Sequence, residues 1–248
     1  MTHLYLIRHG EAVCNVVPTL AGMRGDAGLT PRGVLQAQRL RDRLAATGEI
    51  AADVLISSTL PRARQTAEII APALGLPIVW EDGVQELRPG EADGLPWEEY
   101  LARYGERDFR REPFRPLSPG GEHWGEFMLR VSTTLDRIVR QYRGKTIVIV
   151  CHGGVIDTAF LFFSGMSALA LPPLEFATRN ASITHWELRQ YEGQAPRWRL
   201  LCYNDDLHVR DIGAEERIRW PRMAPQSVAI NGQQEPAVPL PTEESEGG

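Results

Sequence analysis

Thr146-Ile147-Val148-Ile149-Val150-Cys151-His152-Gly153-Gly154 sets a β-branched run directly before a histidine and two glycines. Such a run, with no polar alternation, reads as a strand buried on both faces, the kind a parallel sheet places between helices. The first strand signal has the same design: Leu4-Tyr5-Leu6-Ile7 runs into Arg8-His9-Gly10-Glu11. Shorter strand signals lie at residues 53–57 and 78–80. Between them, Thr30 and Pro31 open a helix whose apolar face is Val34, Ala37, Leu40 and Leu44, with Gly48 as its stop. Leu60-Pro61 opens a second, with Ala63, Ala67, Ile70 and Leu74 on one face and Gly75 at its end. A strong helix is predicted over 122–142 on Phe127, Val131, Leu135 and Ile138, and another from about residue 155. Residues 182–188 and 197–203 read as an antiparallel hairpin.

Strands alternating with helices predict an α/β protein, a three-layer α/β/α sandwich with a mostly parallel central sheet. Ligands in such sheets bind at the carboxyl ends of strands, where His9 and His152 both fall. One domain over residues 1–224 is expected. Residues 90–121, rich in Pro, Gly and Arg with a helical piece near 97–104, are read as an α-helical cap insertion over the pocket. Residues 225–248 read as a flexible acidic tail.

The 248 residues are 43% hydrophobic and 24% charged, enough to bury one sizeable core. No apolar run is long enough for a membrane span, and the N-terminus shows no secretory pattern. Cys14, Cys151 and Cys202 are odd in number and lack CxxC spacing, so neither a disulfide framework nor a zinc knuckle is expected. Together these predict a cytoplasmic protein. Four glutamates in the tail carry most of the net charge of −5, so nothing points to nucleic acid. Lys145 is the only lysine, and the arginine bias is read as genomic.

Six blocks in order carry a resemblance: Leu6-Ile7-Arg8-His9-Gly10-Glu11; Leu29-Thr30 with Gly33 and Gln36-Ala37; Ser57-Ser58 through Arg62-Ala63 and Gln65-Thr66-Ala67; Glu86-Leu87; Pro119-Gly120-Gly121-Glu122; and Cys151-His152-Gly153-Gly154. Over roughly residues 3 to 205 the chain resembles the phosphoglycerate-mutase-like branch of the histidine phosphatase superfamily.

The resemblance implies that His9 is the nucleophile, attacking phosphorus to give a phosphohistidine. Arg8 and Arg62 would clamp the phosphoryl oxygens, and His152 would donate to one of them from the side opposite His9. Gly153 lets backbone approach the ligand, Asn15 corresponds to a loop residue that contacts phosphate, and Ser58 is a further pocket candidate. Glu86 would be the general acid. His123 either faces the substrate or lies in a solvated loop. His3, His185 and His208 are read as structural, and Cys14 and Cys151 as small core or loop residues. No metal and no cofactor are expected, because arginines and histidines supply the positive charge. The implied partner is a small phosphorylated metabolite, with no nucleic acid and no membrane; a homo-oligomer is compatible with the sequence.

Phosphomonoester hydrolysis is the preferred activity. Gly94-Leu95-Pro96-Trp97 resembles a stretch of broad phosphatases, and a longer lysine-bearing cap, associated with mutases, is missing. Phosphoglycerate mutase-type phosphoryl transfer and a non-catalytic phosphate-binding module are the alternatives. The cap arginines Arg103, Arg107, Arg110, Arg111 and Arg115, beside Trp97, Tyr100, Tyr104, Phe109 and Phe114, suit either an anionic or sugar-bearing phosphoester or an amphipathic cap with a wet face.

Overall fold

The computed structural model describes residues 1–167 and 174–213. Among them six strands form one sheet: β1 (Thr2–Arg8), β2 (Val54–Ser57), β3 (Ile78–Trp80), β4 (Thr146–Cys151), β5 (Ile183–Arg189) and β6 (Arg197–Asp205). Their spatial order is β3-β2-β4-β1-β5-β6. The pairs β1–β4, β2–β4 and β2–β3 are parallel, and β5 runs antiparallel to both β1 and β6. The described helices are α1 (Pro31–Thr47), α2 (Pro61–Leu74), α3 (Trp97–Tyr104), α4 (Trp124–Gln141) and α5 (Gly153–Phe163).

The β-branched run explains the layering. Strand side chains alternate between faces, and both faces of β4 are apolar. Ile147, Ile149 and Cys151, with Leu4 and Leu6 of β1, meet Phe127, Val131, Leu135 and Ile138 of α4 and Val155, Ile156 and Ala159 of α5. Val148 and Val150, with Ile7 and Leu55, meet Leu40 and Leu44 of α1 and Ala63, Ala67 and Ile70 of α2. A fully buried aliphatic side chain contributes about 1.5–3 kcal/mol, so these two faces dominate the stability. The result is the α/β/α sandwich expected, with one antiparallel strand making the sheet mixed.

Local chemistry sets the helix ends. The Thr30 side chain accepts from the Gly33 amide at the start of α1, and Gly48 ends it at φ 60°. α4 begins at Trp124, two residues later than its periodicity suggests, because His123 occupies the N-cap. The His123 ring accepts from the Glu126 amide while the Glu126 carboxylate accepts from the His123 amide. His123, read from the sequence as either substrate-facing or in a solvated loop, is the N-cap of α4. α5 starts at Gly153, earlier than expected, with His152 itself as N-cap residue.

In residues 90–121 the one α-helix is α3, and the segment has a small core of Ala92, Tyr100 and Leu117, backed by Leu20 and Leu87. Its arginines bond mostly within the segment. Arg103 pairs with Glu99, Arg111 with Asp108 and Arg115 with Glu112, while Arg107 donates to the carbonyls of Tyr104 and Pro116. The acidic tail expected at 225–248 lies outside the described residues. Among the described residues no helix is long and apolar enough to cross a membrane.

The topology fixes where chemistry can happen. β1 and β4 are parallel neighbours, with Arg8 opposite Cys151. The chain leaves β1 toward α1 on one face and leaves β4 into α5 on the other. Such a divergence opens a crevice at the strand ends. The next residue on each strand is His9 and His152.

Candidate active site

His9 continues the β1–β4 pairing, its amide donating to the Cys151 carbonyl at 3.0 Å. The ring is buried, and Nδ1 lies 2.7 Å from the Gly10 carbonyl. A carbonyl only accepts, so Nδ1 carries the proton and Nε2 holds the lone pair. Burial first, then the charges of Arg62 and Arg8, hold the His9 pKa well below the ordinary imidazole value. The imidazole is neutral at physiological pH, which a nucleophile needs. We expect the His9 ring protons in an NMR titration to show no inflection between pH 6 and 7.5, with any protonation displaced to lower pH. An inflection near 6.5 would contradict this.

The Gly10 that follows is required by contact. A Cβ there would lie 2.4 Å from the Gly33 carbonyl oxygen, so the first loop can close on α1 only without a side chain. Polar residues of the adjoining blocks hold the same loop: Thr66 Oγ1 accepts from the Gly10 amide, and Gln36 Oε1 from the Glu11 amide. Glu11 itself binds Thr30 and Arg32 and is structural.

Arg62 lies in the first turn of α2, buried, with Nε 3.1 Å from His9 Nε2. Its guanidinium is oriented by Asp26, whose Oδ2 accepts from Arg62 Nη1 at 2.7 Å and from the Arg62 amide at 3.2 Å. Arg8 donates to the Thr178 carbonyl and passes close to Gly153, where an added Cβ would lie 3.8 Å from its Nε. Two guanidinium groups thus converge beside the His9 lone pair.

His152 completes the opposite wall. Its ring centroid lies 5.2 Å from that of His9. Nε2 is 2.7 Å from Ser58 Oγ, and Ser58 Oγ already accepts from the Leu60 amide. A serine hydroxyl donates once and accepts twice, so Ser58 either donates to Nε2 or accepts from it, according to the tautomer of the ring. Burial first, then the charges of Arg62 and Arg8, hold the His152 pKa well below its ordinary value. A neutral ring accepting at Nε2 must carry its proton on Nδ1. Nδ1 is buried and has no hydrogen-bond partner among the described residues. In that tautomer the ring offers an unspent donor in the crevice.

Glu86 sits on the fourth side. Its oxygens accept from the Leu87 amide and the Gly154 amide, each at 3.0 Å. A Cβ on Gly154 would lie 2.4 Å from Glu86 Oε1, so the second glycine makes room for the carboxylate. Arg130 of α4 donates to the carbonyls of Gly83, Gln85 and Glu86 and to the Glu122 carboxylate, tying the loop that carries Glu86 to α4.

The structure brings His9, Arg8, Arg62, His152, Ser58, Glu86 and Gly153 together. Asn15 is near but turned inward: its side-chain oxygen accepts from the Ala12 amide at 3.0 Å and lies 3.4 Å from Asn180 Nδ2. Asn180 also donates to the His9 carbonyl. Sequence reasoning did not find Asp26, Arg130, Asn180 or Asp157, since each is defined by partners distant in the chain. Burial pushes the Cys14 and Cys151 thiols up, consistent with core and loop roles. His3 and His185 contact each other on the sheet, away from the crevice. Among the described residues no group of three or more His, Cys, Asp or Glu gathers in a metal-ligand arrangement.

A family model described as the histidine phosphatase superfamily (branch 1) matches residues 4–205. The chain belongs to this superfamily. It is 31% identical over 211 residues to the uncharacterized phosphatase PhoE of Bacillus subtilis, covering 84% of this chain and 97% of that one. It is 29% identical to a probable phosphoglycerate mutase (GpmB) of Erwinia tasmaniensis, over 87% of this chain and 99% of that one. A phosphoserine phosphatase structure from Entamoeba histolytica superposes with a TM-score of 0.66 at 27% identity, covering 84% and 100% of the two chains. The alpha-ribazole phosphatase of Shigella flexneri shares the fold, with a TM-score of 0.69 at 24% identity and coverage of 82% and 96%. Phosphatases and mutases stand side by side among the superfamily relatives, which supports an enzyme of phosphoester chemistry.

Proposed function

We propose that this histidine phosphatase superfamily member is a phosphomonoester hydrolase working through a phosphohistidine on His9. In the first step the His9 Nε2 lone pair attacks phosphorus, and the bond from phosphorus to the ester oxygen breaks. The departing oxygen takes a proton from the Glu86 carboxyl. Arg8, Arg62 and the His152 Nδ1–H stabilise the charge gathered on the phosphoryl oxygens. In the second step the Glu86 carboxylate takes a proton from water as the water oxygen bonds phosphorus. The phosphorus–nitrogen bond breaks, inorganic phosphate leaves, and neutral His9 is restored.

The observation that carries phosphoryl transfer is a His9 ring held with its proton on Nδ1, facing across a 5.2 Å ring separation a His152 ring whose buried Nδ1 has no partner among the described residues. Hydrolysis is favoured over mutase chemistry by how the arginines of residues 103–115 are engaged. A mutase acting on phosphoglycerate needs basic groups for the substrate carboxylate and must exclude water from the phosphoenzyme. Here Arg103, Arg107, Arg111 and Arg115 bond to acids or carbonyls of their own segment.

The test follows free phosphate and 2-phosphoglycerate together, with 3-phosphoglycerate and a chromogenic phosphomonoester as substrates, with and without a chelator. Phosphate release from the chromogenic ester with little isomer formation is expected. Isomer formation outpacing phosphate release would overturn hydrolysis in favour of the mutase reading.

A further inference from the structure

Asp157 is a carboxylate that the mechanism above does not use. It lies on α5, three residues after Gly154 and four after Gly153, so all three share a helix face. That face is packed at its start against Glu86, which accepts from the Gly154 amide, and against Arg8, which passes Gly153. The Asp157 Oδ1 is buried and has no hydrogen-bond partner among the described residues. A buried carboxyl oxygen without a donor is costly, and few such atoms persist without a reason.

We infer that Asp157 is a specificity-determining residue: a carboxyl group behind Arg8 and Glu86 that, when ionised, disfavours phosphomonoesters whose alcohol carries a carboxylate and favours those whose alcohol carries an ammonium group. Because Oδ1 is covered, the effect runs through the electric field and not through contact. Charges act more strongly on one another in a protein-lined crevice than in water, so a carboxylate on the helix face shared with Gly153 and Gly154 acts on a charged substituent at the phosphate. The inference rests on the phosphomonoester reading and narrows its substrate class to phosphate esters of amino alcohols over phosphorylated hydroxy acids.

The groups facing Asp157 are Arg8 from β1, Glu86 from the loop before α3, Tyr203 from β6 and His152 at the start of its own helix. Phe127 and Met128 of α4, which pack on α5, are uncharged. His152 stays neutral throughout the range considered. Burial first, then Glu86, pushes the Asp157 carboxyl up to about 7, against a smaller opposing effect of Arg8. The charge is therefore absent in mild acid and present in mild base, and the discrimination should rise with pH.

The test compares phosphoethanolamine with 2-phosphoglycolate, two-carbon esters that differ in carrying an ammonium or a carboxylate. Binding is measured by calorimetry in the His9→Ala background, so that turnover does not enter. Turnover of both esters is measured separately with His9 intact. We expect Asp157→Asn to shrink the preference for phosphoethanolamine by at least about tenfold at pH 8. In the Asp157 protein the preference should grow from pH 6 to pH 8, and in the Asn variant it should stay flat. A structural role alone would not move this ratio. An unchanged ratio, or binding of neither ester, overturns the inference. A shifted binding ratio with no turnover of any ester leaves the charge selection standing and sinks the hydrolase reading instead.

Folding gives a second readout. The folded-state pKa of Asp157 lies above the unfolded carboxyl value, so its stabilising contribution is fully present below pH 4 and is lost as pH rises toward 7. The Asn variant lacks that dependence. Its melting temperature should gain on the parent across this window and level off above it, and a constant offset would contradict the buried titration.

Discussion

Replacing His9 with alanine should lower phosphate release by about four orders of magnitude or more, the size of effect expected when a covalent nucleophile is deleted. That corresponds to about 5.5 kcal/mol of lost transition-state stabilisation. The reason is specific to this arrangement. Among the described residues of the crevice, His9 is the imidazole whose proton a backbone carbonyl fixes on Nδ1, leaving Nε2, which receives Arg62 Nε in the resting site, to attack. Binding should survive better than turnover, because Arg62 keeps its hold on Asp26 and the Ala21 carbonyl without the imidazole. Two measurements check the expectation. Stopped reactions with labelled substrate should yield an acid-labile, base-stable phosphoenzyme in the parent and none in the variant. Residual turnover above one percent of the parent would mean that phosphate leaves by direct attack of water.

The second large effect is expected at Glu86. Glu86→Gln keeps the side-chain shape and removes the proton donor. With a simple alkyl phosphate, whose leaving oxygen needs a proton, kcat should fall about a hundredfold to a thousandfold, within the usual range for general acid catalysis. With 4-nitrophenyl phosphate the leaving group departs without one, so the first step should stay fast. The second step, in which the carboxylate draws a proton from water, should then limit. The variant should release a burst of nitrophenolate equivalent to the enzyme present, followed by slow turnover, with phosphohistidine accumulating on His9. An equal loss on both esters and no burst would assign Glu86 to binding or to loop structure.

Much of this site was legible in the sequence because its two histidines follow strands. The unbroken β-branched run of β4 and the strand signal at Leu4 to Ile7 implied a parallel sheet, and strand ends in such a sheet are where ligands bind. The helix boundaries were readable where caps are local, as at Thr30 and Gly48, and shifted where an unusual residue caps, as at His123. What stayed hidden depends on partners far along the chain. Asp26 is one acid in an irregular loop until α2 brings Arg62 onto it. Arg130 reads as a charge on the wet face of an amphipathic helix, yet it holds three carbonyls of the Glu86 loop. Asp157 interrupts an apolar helix, and periodicity alone does not say that this face looks at Arg8. Composition likewise could not tell whether the cap arginines serve a ligand or their own backbone.

The adjacency of β1 and β4 also governs how the molecule is made. These neighbouring strands are separated by about 140 residues of chain, so their pairing closes a long loop before its contacts can repay the lost entropy. During synthesis β1 emerges first and must wait, unpaired on that side, while α1, β2, α2, β3, α3 and α4 are made. His9 then meets no catalytic partner on the opposite wall until His152 has left the ribosome. A nascent chain halted before β4 would carry His9 and both arginines and still lack the wall that His152 supplies. The proposed chemistry must therefore wait until the last parallel strand is in place.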